Sequence, residues 1–293
     1  MKIILTLEQF PVFWPGAYGN KTQSMPGLDA FTLESTVFDR AYSSRADGLE
    51  TLFQLWESCD FSAERFAGKK VFLSDLPVDA PDFFDAGKTV DSGTFFSQEI
   101  SKMLDPAEMA EAEVHGLEDI GLVWVHFQNW TLEELDAWLM NEADRDRILA
   151  ILGTSGELPD GDVRLYSSEV QLPWWIRFSE PSFAGTRSRE LVTDRDFQKI
   201  LDAGNPDEKY REELLILAEN ARWALVTEEW FLTGFESECG AGNGEEELED
   251  AREENAPELY FKPSDWWDQN DVASRCFDEV QELLRLRDRL SLK

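Results

Sequence analysis

Histidine is almost missing from this chain, with two residues in 293, and cysteine is scarce, with three. Each shortage excludes something. His115 and His126 leave little material for serine–histidine nucleophile chemistry or for a histidine-rich metal site. Cys59, Cys239 and Cys276 are odd in number, far apart and without a CxxC spacing, so neither a disulfide framework nor a zinc cluster is expected. Each reads as a free thiol. Long hydrophobic runs are absent too: no segment approaches the ~20 apolar residues that cross a bilayer. The apolar run at residues 3–7 stops at Glu8, short of the apolar region of a secretory leader. A soluble, cytoplasmic protein is the expectation.

Positive charge is the largest deficit. Against 60 Asp and Glu stand 27 Lys and Arg, of which only ten are lysine, for a net charge of −33. By thirds of the chain the balance is −7, −11 and −15, so the acidity is no mere tail and deepens toward the C-terminus. Such a field repels nucleic acid and anionic membrane. It attracts cations and basic protein surfaces over a Debye length of ~8 Å.

What is present argues for a packed fold. With 42% apolar residues, 20 Phe and 11 Trp, the chain is unlike a disordered acidic polymer, which is poor in aromatics. The hydrophobic period changes repeatedly along it. Residues 2–7 read as an opening strand, and Leu49, Leu52, Phe53 and Trp56 as an amphipathic helix. Asp105 and Pro106 mark another helix start. The continuous apolar run 120–127 reads as a strand covered on both faces, and Thr131 with Glu134 as a capping box. A helix is expected over 142–152. Over 170–178 alternation gives a strand with Trp174 inward and Trp175 outward, and Pro173 places it at a sheet edge. A short helix ends at Gly204, and a longer one is expected from Asn205 with Tyr210, Leu214, Leu217 and Ala221 on its apolar face. Residues 225–232 fit either helix or strand. A brief strand near 259–262 and a last helix from about Asp271, with Val272, Cys276, Val280, Leu283 and Leu290 on one stripe, close the chain.

The expected fold class is therefore α+β: a mixed sheet flanked by helices, with a helical C-terminal segment. Residues 1–238 form the body, with a sub-boundary near 154–161. Residues 239–255 are an acidic flexible linker, and 256–293 a helical segment packing on the body.

Candidate sites are few. Gly16, Gly19 and Lys21 lack the spacing of a phosphate-binding loop. His126 lies on the same face of its strand as Trp124 and reads as a hydrogen-bonded core residue. Among the many paired carboxylates, Asp265, Asp268 and Asp271 are the weak candidates for a metal site. More telling are the tryptophan doublets and the acid-rich stretch 239–254. Exposed aromatics ringed by acids suit a cationic partner through cation–π and charge-paired contacts. The residues assigned to partner binding are Trp175, Glu245, Glu246, Glu247, Glu249, Asp250, Glu253, Glu254, Trp266 and Trp267. Thirty-three surplus charges match those on ~56 Å of duplex DNA. The leading expectation is thus an acidic stoichiometric inhibitor, or immunity or anti-defence protein, that mimics DNA. It would occupy the basic surface of a nuclease or nucleic-acid-binding defence complex. No enzymatic activity, cofactor, membrane or direct nucleic-acid partner is expected. The alternatives are a salt-adapted cytoplasmic protein of unrelated function and a metal-dependent enzyme built on a carboxylate cluster.

Overall fold

In the computed structural model the described residues are 1–89, 120–157, 164–235, 256–262 and 264–292. Strand β1 (Lys2–Leu7) is buried at every residue after Lys2. Ile3, Leu5 and Leu7 enter one core and Ile4 another. Apolar side chains on both faces place a strand inside a covered parallel sheet. Sheet A has eight strands in the order β4-β3-β5-β1-β6-β7-β2-β8. Its members after β1 are β2 (Thr36–Tyr42), β3 (Lys69–Ser74), β4 (Ala86–Thr89), β5 (Ile120–Phe127), β6 (Ile148–Gly153), β7 (Trp174–Ile176) and β8 (Arg187–Thr193). All neighbours run parallel except β7, which opposes both β6 and β2. Seven strands therefore end at one edge of the sheet. The chain moves from β1 to β2 on one side and to β3 on the other, so β1 stands where the winding reverses. In open sheets of this kind ligands collect beyond the carboxyl ends, at such a reversal.

Helices cover both faces. In chain order they are α1 (Pro26–Leu33), α2 (Gly48–Ser58), α3 (Leu132–Leu139), α4 (Glu142–Arg145), α5 (Ser167–Val170), α6 (Phe197–Ala203) and α7 (Phe277–Ser291). Leu28 and Phe31 of α1 and Leu135 and Trp138 of α3 pack on the Ile3 side of the sheet. Leu52 and Trp56 of α2 and Phe197 and Ile200 of α6 pack on the Ile4 side. The α3 capping box forms: Glu134 N donates to Thr131 Oγ1 at 3.2 Å, and Thr131 N donates back to Glu134 Oε2 at 3.0 Å.

A second, antiparallel sheet B runs β12-β11-β10-β9, from β9 (Leu214–Leu217), β10 (Arg222–Val226), β11 (Trp230–Phe235) and β12 (Glu258–Phe261). One face meets α7 through Leu225, Leu232, Val280 and Leu283. The other packs Ile216, Val226 and Phe231 against Tyr42 of β2 and Leu191 of β8. Sheet B is thus docked at the β2–β8 end of sheet A. The α+β class is as expected, a mixed sheet flanked by helices with a helical C-terminus.

Three local expectations fail for identifiable reasons. The helix expected over 142–152 is only α4, after which the chain enters β6 beside β1. Apolar residues at 148–152 form an unbroken run, which periodicity cannot assign, and the open position next to β1 decides it. The long helix expected from Asn205 is replaced by β9. Asn220 and Ala221 turn at φ 59° and 56°, left-handed values that no helix interior accepts and that make the turn into β10. Finally, Trp175 does not face outward. Strand β7 is interior, between β6 and β2, and Trp174 and Trp175 are both fully buried, one on each face. Pro173 lies just before the strand, where its missing N–H costs no ladder bond.

Candidate active site

Glu8 follows β1 immediately and is almost completely buried. Its Oε1 shares a hydrogen bond of 3.1 Å with His126 Nε2, and its Oε2 accepts from Gln128 Nε2 at 3.0 Å. The network continues inward. His126 Nδ1 and Thr6 Oγ1 lie 3.1 Å apart, and Trp124 Nε1 donates to Thr6 Oγ1 at 3.1 Å. A carboxylate can be tolerated at this depth because its oxygens are hydrogen-bonded. The first residue of α2 is Gly48, at which any Cβ would stand 2.7 Å from the Glu8 carboxyl carbon. Glycine there lets the helix N-terminus approach the carboxylate, and the positive end of the helix favours the charge. His126 is, as expected, a hydrogen-bonded core residue.

The loop from β2 to α2 carries a second pair. Ser44 Oγ donates to Asp194 Oδ2 at 2.6 Å, and Ser44 N donates to Asp194 Oδ1 at 2.8 Å. Asp194 begins the turn after β8 and is fully enclosed, whereas Ser44 keeps a small exposed surface. Burial pushes the Asp194 carboxyl above the ordinary value, against the opposing pull of the Ser44 hydrogen bonds. Such a raised group adds stability below its unfolded pKa of ~3.9 and loses it as pH rises through the folded value. Relative to Asp194→Asn, the wild type should therefore lose stability as pH rises above about 4. Urea midpoints at several pH values measure this; parallel curves would refute a buried titrating carboxyl.

Beyond the loop, a cleft of about 370 Å³ opens between the two sheets, lined by Arg40, Tyr42, Arg189, Lys262 and Trp266 among others. Lys262 is buried and bonded to Asp268 at 2.6 Å; burial lowers its pKa and Asp268 opposes that.

The sequence-derived candidates are scattered. Trp175 is interred against Phe10 and Tyr18, so it offers nothing to a partner. Trp266 is half-buried in the cleft wall, and Trp267 is 46% exposed. Glu245, Glu246, Glu247, Glu249, Asp250, Glu253 and Glu254 lie outside the described residues. The metal candidates turn to different tasks: Asp265 accepts Gln269 N and Asn270 N, Asp268 accepts Ser167 N and Lys262 Nζ, and Asp271 accepts Leu259 N and Ala273 N. They make no donor set. Among the described residues, no three His, Cys, Asp or Glu side chains are grouped so as to hold a metal ion. Metal ions are a general means of polarising phosphoryl groups. At the strand ends Glu8 is bonded to His126 and Gln128 and, among the described residues, joins no group of three such ligands.

Sequence reasoning missed Glu8 and the Ser44–Asp194 pair. The signal for Glu8 was available: a lone acid closing an apolar opening strand. Nothing in spacing could link Ser44 to Asp194, 150 residues apart.

No protein-family model matches the chain, and no curated protein sequence matches it. Solved structures do match. A Bacteroides thetaiotaomicron protein from work on the metabolism of multiple glycosaminoglycans superposes with a TM-score of 0.66 at 11% identity, covering 100% of this chain and 99% of its own. The phosphonate monoester hydrolase of Agrobacterium radiobacter gives 0.64 at 11% identity, over 99% and 95%. A 2-O glycosaminoglycan sulfatase gives 0.60 at 11% identity, over 97% and 90%. At such identities the likeness is one of fold. It nonetheless overturns the expectation of a non-enzymatic, DNA-mimic-like inhibitor or anti-defence protein, because along nearly its whole length the chain has the architecture of these hydrolases.

Proposed function

We propose that the chain hydrolyses a small anionic ester, of the sulfate or phosphonate kind, at the carboxyl ends of sheet A. The observation that carries this reading is the Ser44–Asp194 pair, a hydroxyl 2.6 Å from a buried carboxylate on the β2–α2 loop. Nucleophile and base within hydrogen-bond reach is the arrangement nucleophilic catalysis requires, and a carboxylate with a raised pKa is the better base. Support comes also from the shared architecture of a sulfatase and a phosphonate monoester hydrolase. In this scheme Ser44 Oγ bonds to the sulfur or phosphorus while its proton passes to Asp194. The ester oxygen leaves as the alcohol, taking that proton. Water, giving a proton to Asp194, then attacks the seryl ester; Ser44 Oγ leaves with that proton, and the inorganic anion or phosphonate is released. Arg45, the next residue, is partly exposed and supplies a cation on the same loop.

The test is turnover of p-nitrophenyl sulfate, phosphate and phenylphosphonate by the full chain, with and without added divalent cations and chelator. At least one ester should be cleaved. Ser44→Ala should reduce the rate about 100-fold or more with the fold intact. Asp194→Asn should lower kcat more than it raises KM. Absence of turnover on all three esters, or full activity in Ser44→Ala, sinks the reading.

A further inference from the structure

A second cavity, of about 420 Å³, lies beside sheet B, and none of its lining residues belongs to the Ser44 loop. Five aromatic side chains wall it: Phe13, Tyr166, Tyr260, Trp266 and Trp267. Their rings are tilted against one another. Phe13 and Trp267 meet edge to face at 5.7 Å and 74°, and Tyr166 and Tyr260 lie 6.4 Å apart at 58°. Aromatic faces carry the negative part of the ring quadrupole, and tilted rings offer faces in several directions. Trp267 is a large apolar side chain left open to solvent.

Two carboxylates, of Glu258 and Asp268, share this lining. Both already have polar partners, each including a cation. Tyr166 and Tyr260 hydroxyls donate to Glu258 Oε2 at 3.2 and 2.5 Å, and Arg164 Nη1 stands 3.5 Å from Oε1. Burial, then the Glu258 bond, pushes the Tyr260 hydroxyl far above its ordinary value, so it remains a donor. Asp268 accepts Ser167 N at 2.7 Å, Ser167 Oγ at 3.2 Å and Lys262 Nζ at 2.6 Å. Its backbone is held at φ 51°, a left-handed value that aims the carboxylate into this network.

These facts select a kind of ligand. A primary ammonium or a guanidinium brings N–H donors that need free carboxylate oxygens. Here each carboxylate is already paired with a cation and half of the lining residues are aromatic, so the attraction on offer is chiefly non-directional: ring faces, plus the field of a chain with net charge −33. That suits a cation with no N–H to satisfy. We propose that this cavity binds an alkylated ammonium group, with Phe13, Tyr166 and Trp267 as its principal walls. The group is carried either by a small molecule or by a methylated lysine.

Calorimetric and tryptophan-fluorescence titrations of the full chain test this with four probes: choline, a peptide containing trimethyl-lysine, the same peptide unmethylated, and 3,3-dimethylbutan-1-ol, the neutral isostere of choline. A quaternary cation should bind about tenfold tighter than its neutral or unmethylated counterpart. Choline binding alone assigns a small-molecule site, and tighter peptide binding assigns a protein tail. Trp267→Ala should weaken binding about tenfold with an unchanged unfolding midpoint, since the side chain is half exposed. Trp267→Phe, which keeps a ring, should retain most of it. Equal binding of choline and its isostere with no preference for the methylated peptide, or unchanged affinity in Trp267→Ala, overturns the proposal.

Discussion

Trp175→Ala is expected to lower the unfolding free energy by about 3–5 kcal/mol, the range for deleting a large buried aromatic. The side chain is fully enclosed. It sits in the short interior strand β7, paired with Val37 of β2 and Ile151 of β6, and so bridges the two halves of sheet A. Phe10 meets it edge to face at 5.6 Å, and Tyr18 stacks on it at 6.2 Å. Removal leaves a cavity under the segment that follows Glu8 and under the loop before α1. Strand β7 spans only three residues, so Trp175 is a large share of the side-chain packing that it offers. Urea unfolding at neutral pH followed by circular dichroism gives the number, and a midpoint lower by about 10 °C should appear on heating. Trp175→Phe should lose less. A change below about 1 kcal/mol would mean that the side chain is exposed, as alternation had suggested.

Trp175 also marks where the sequence stops being legible. Strands β1 and β5 were readable because apolar residues on both faces, in β-branched and aromatic types, leave no other reading once a turn or cap follows. The α3 start was readable because Thr131 and Glu134 satisfy one another locally, whatever the rest of the chain does. The C-terminal stripe was readable for a similar reason: Val280 and Leu283 are buried, with Val272, Cys276 and Leu290 packed beside them. Where the outcome rests on a distant neighbour, local pattern fails. Strand β6 is a strand because β1 lies beside it, and β7 is interior because β2 arrives from 130 residues earlier in the chain. The same holds for chemistry. Acid-rich stretches drew the eye because their charge is contiguous. Yet Glu8, a lone acid in its stretch, and Asp194, whose sequence neighbour Asp196 turns to other partners, take their own partners from elements far away. A surplus of surface charge hid the few acids that are buried, and only the strand-end geometry separates them.

Glu8→Ala should be nearly as damaging as the loss of Trp175, by a different route. Leaving a buried hydrogen-bonding group without its partner costs about 1–3 kcal/mol, and Glu8→Ala leaves two. Here those groups are His126 Nε2 and Gln128 Nε2, and the first turn of α2 loses the charge that its dipole favours. Glu8→Gln keeps the shape and one acceptor oxygen, so stability should fall in the order wild type, Glu8→Gln, Glu8→Ala. Guanidinium unfolding monitored by circular dichroism orders the three; an Ala variant as stable as wild type would show that the carboxylate is solvated. The comparison with Ser44→Ala also separates scaffold from chemistry. Ser44 lies four residues before Gly48, so Glu8 acts on the reacting loop only by holding the start of α2. At denaturant-free conditions where Glu8→Gln remains folded, ester turnover should fall only modestly, by less than about tenfold, whereas Ser44→Ala should be inactive while fully folded. If Glu8→Gln abolished turnover without unfolding, Glu8 would belong to the reacting groups and not to their support.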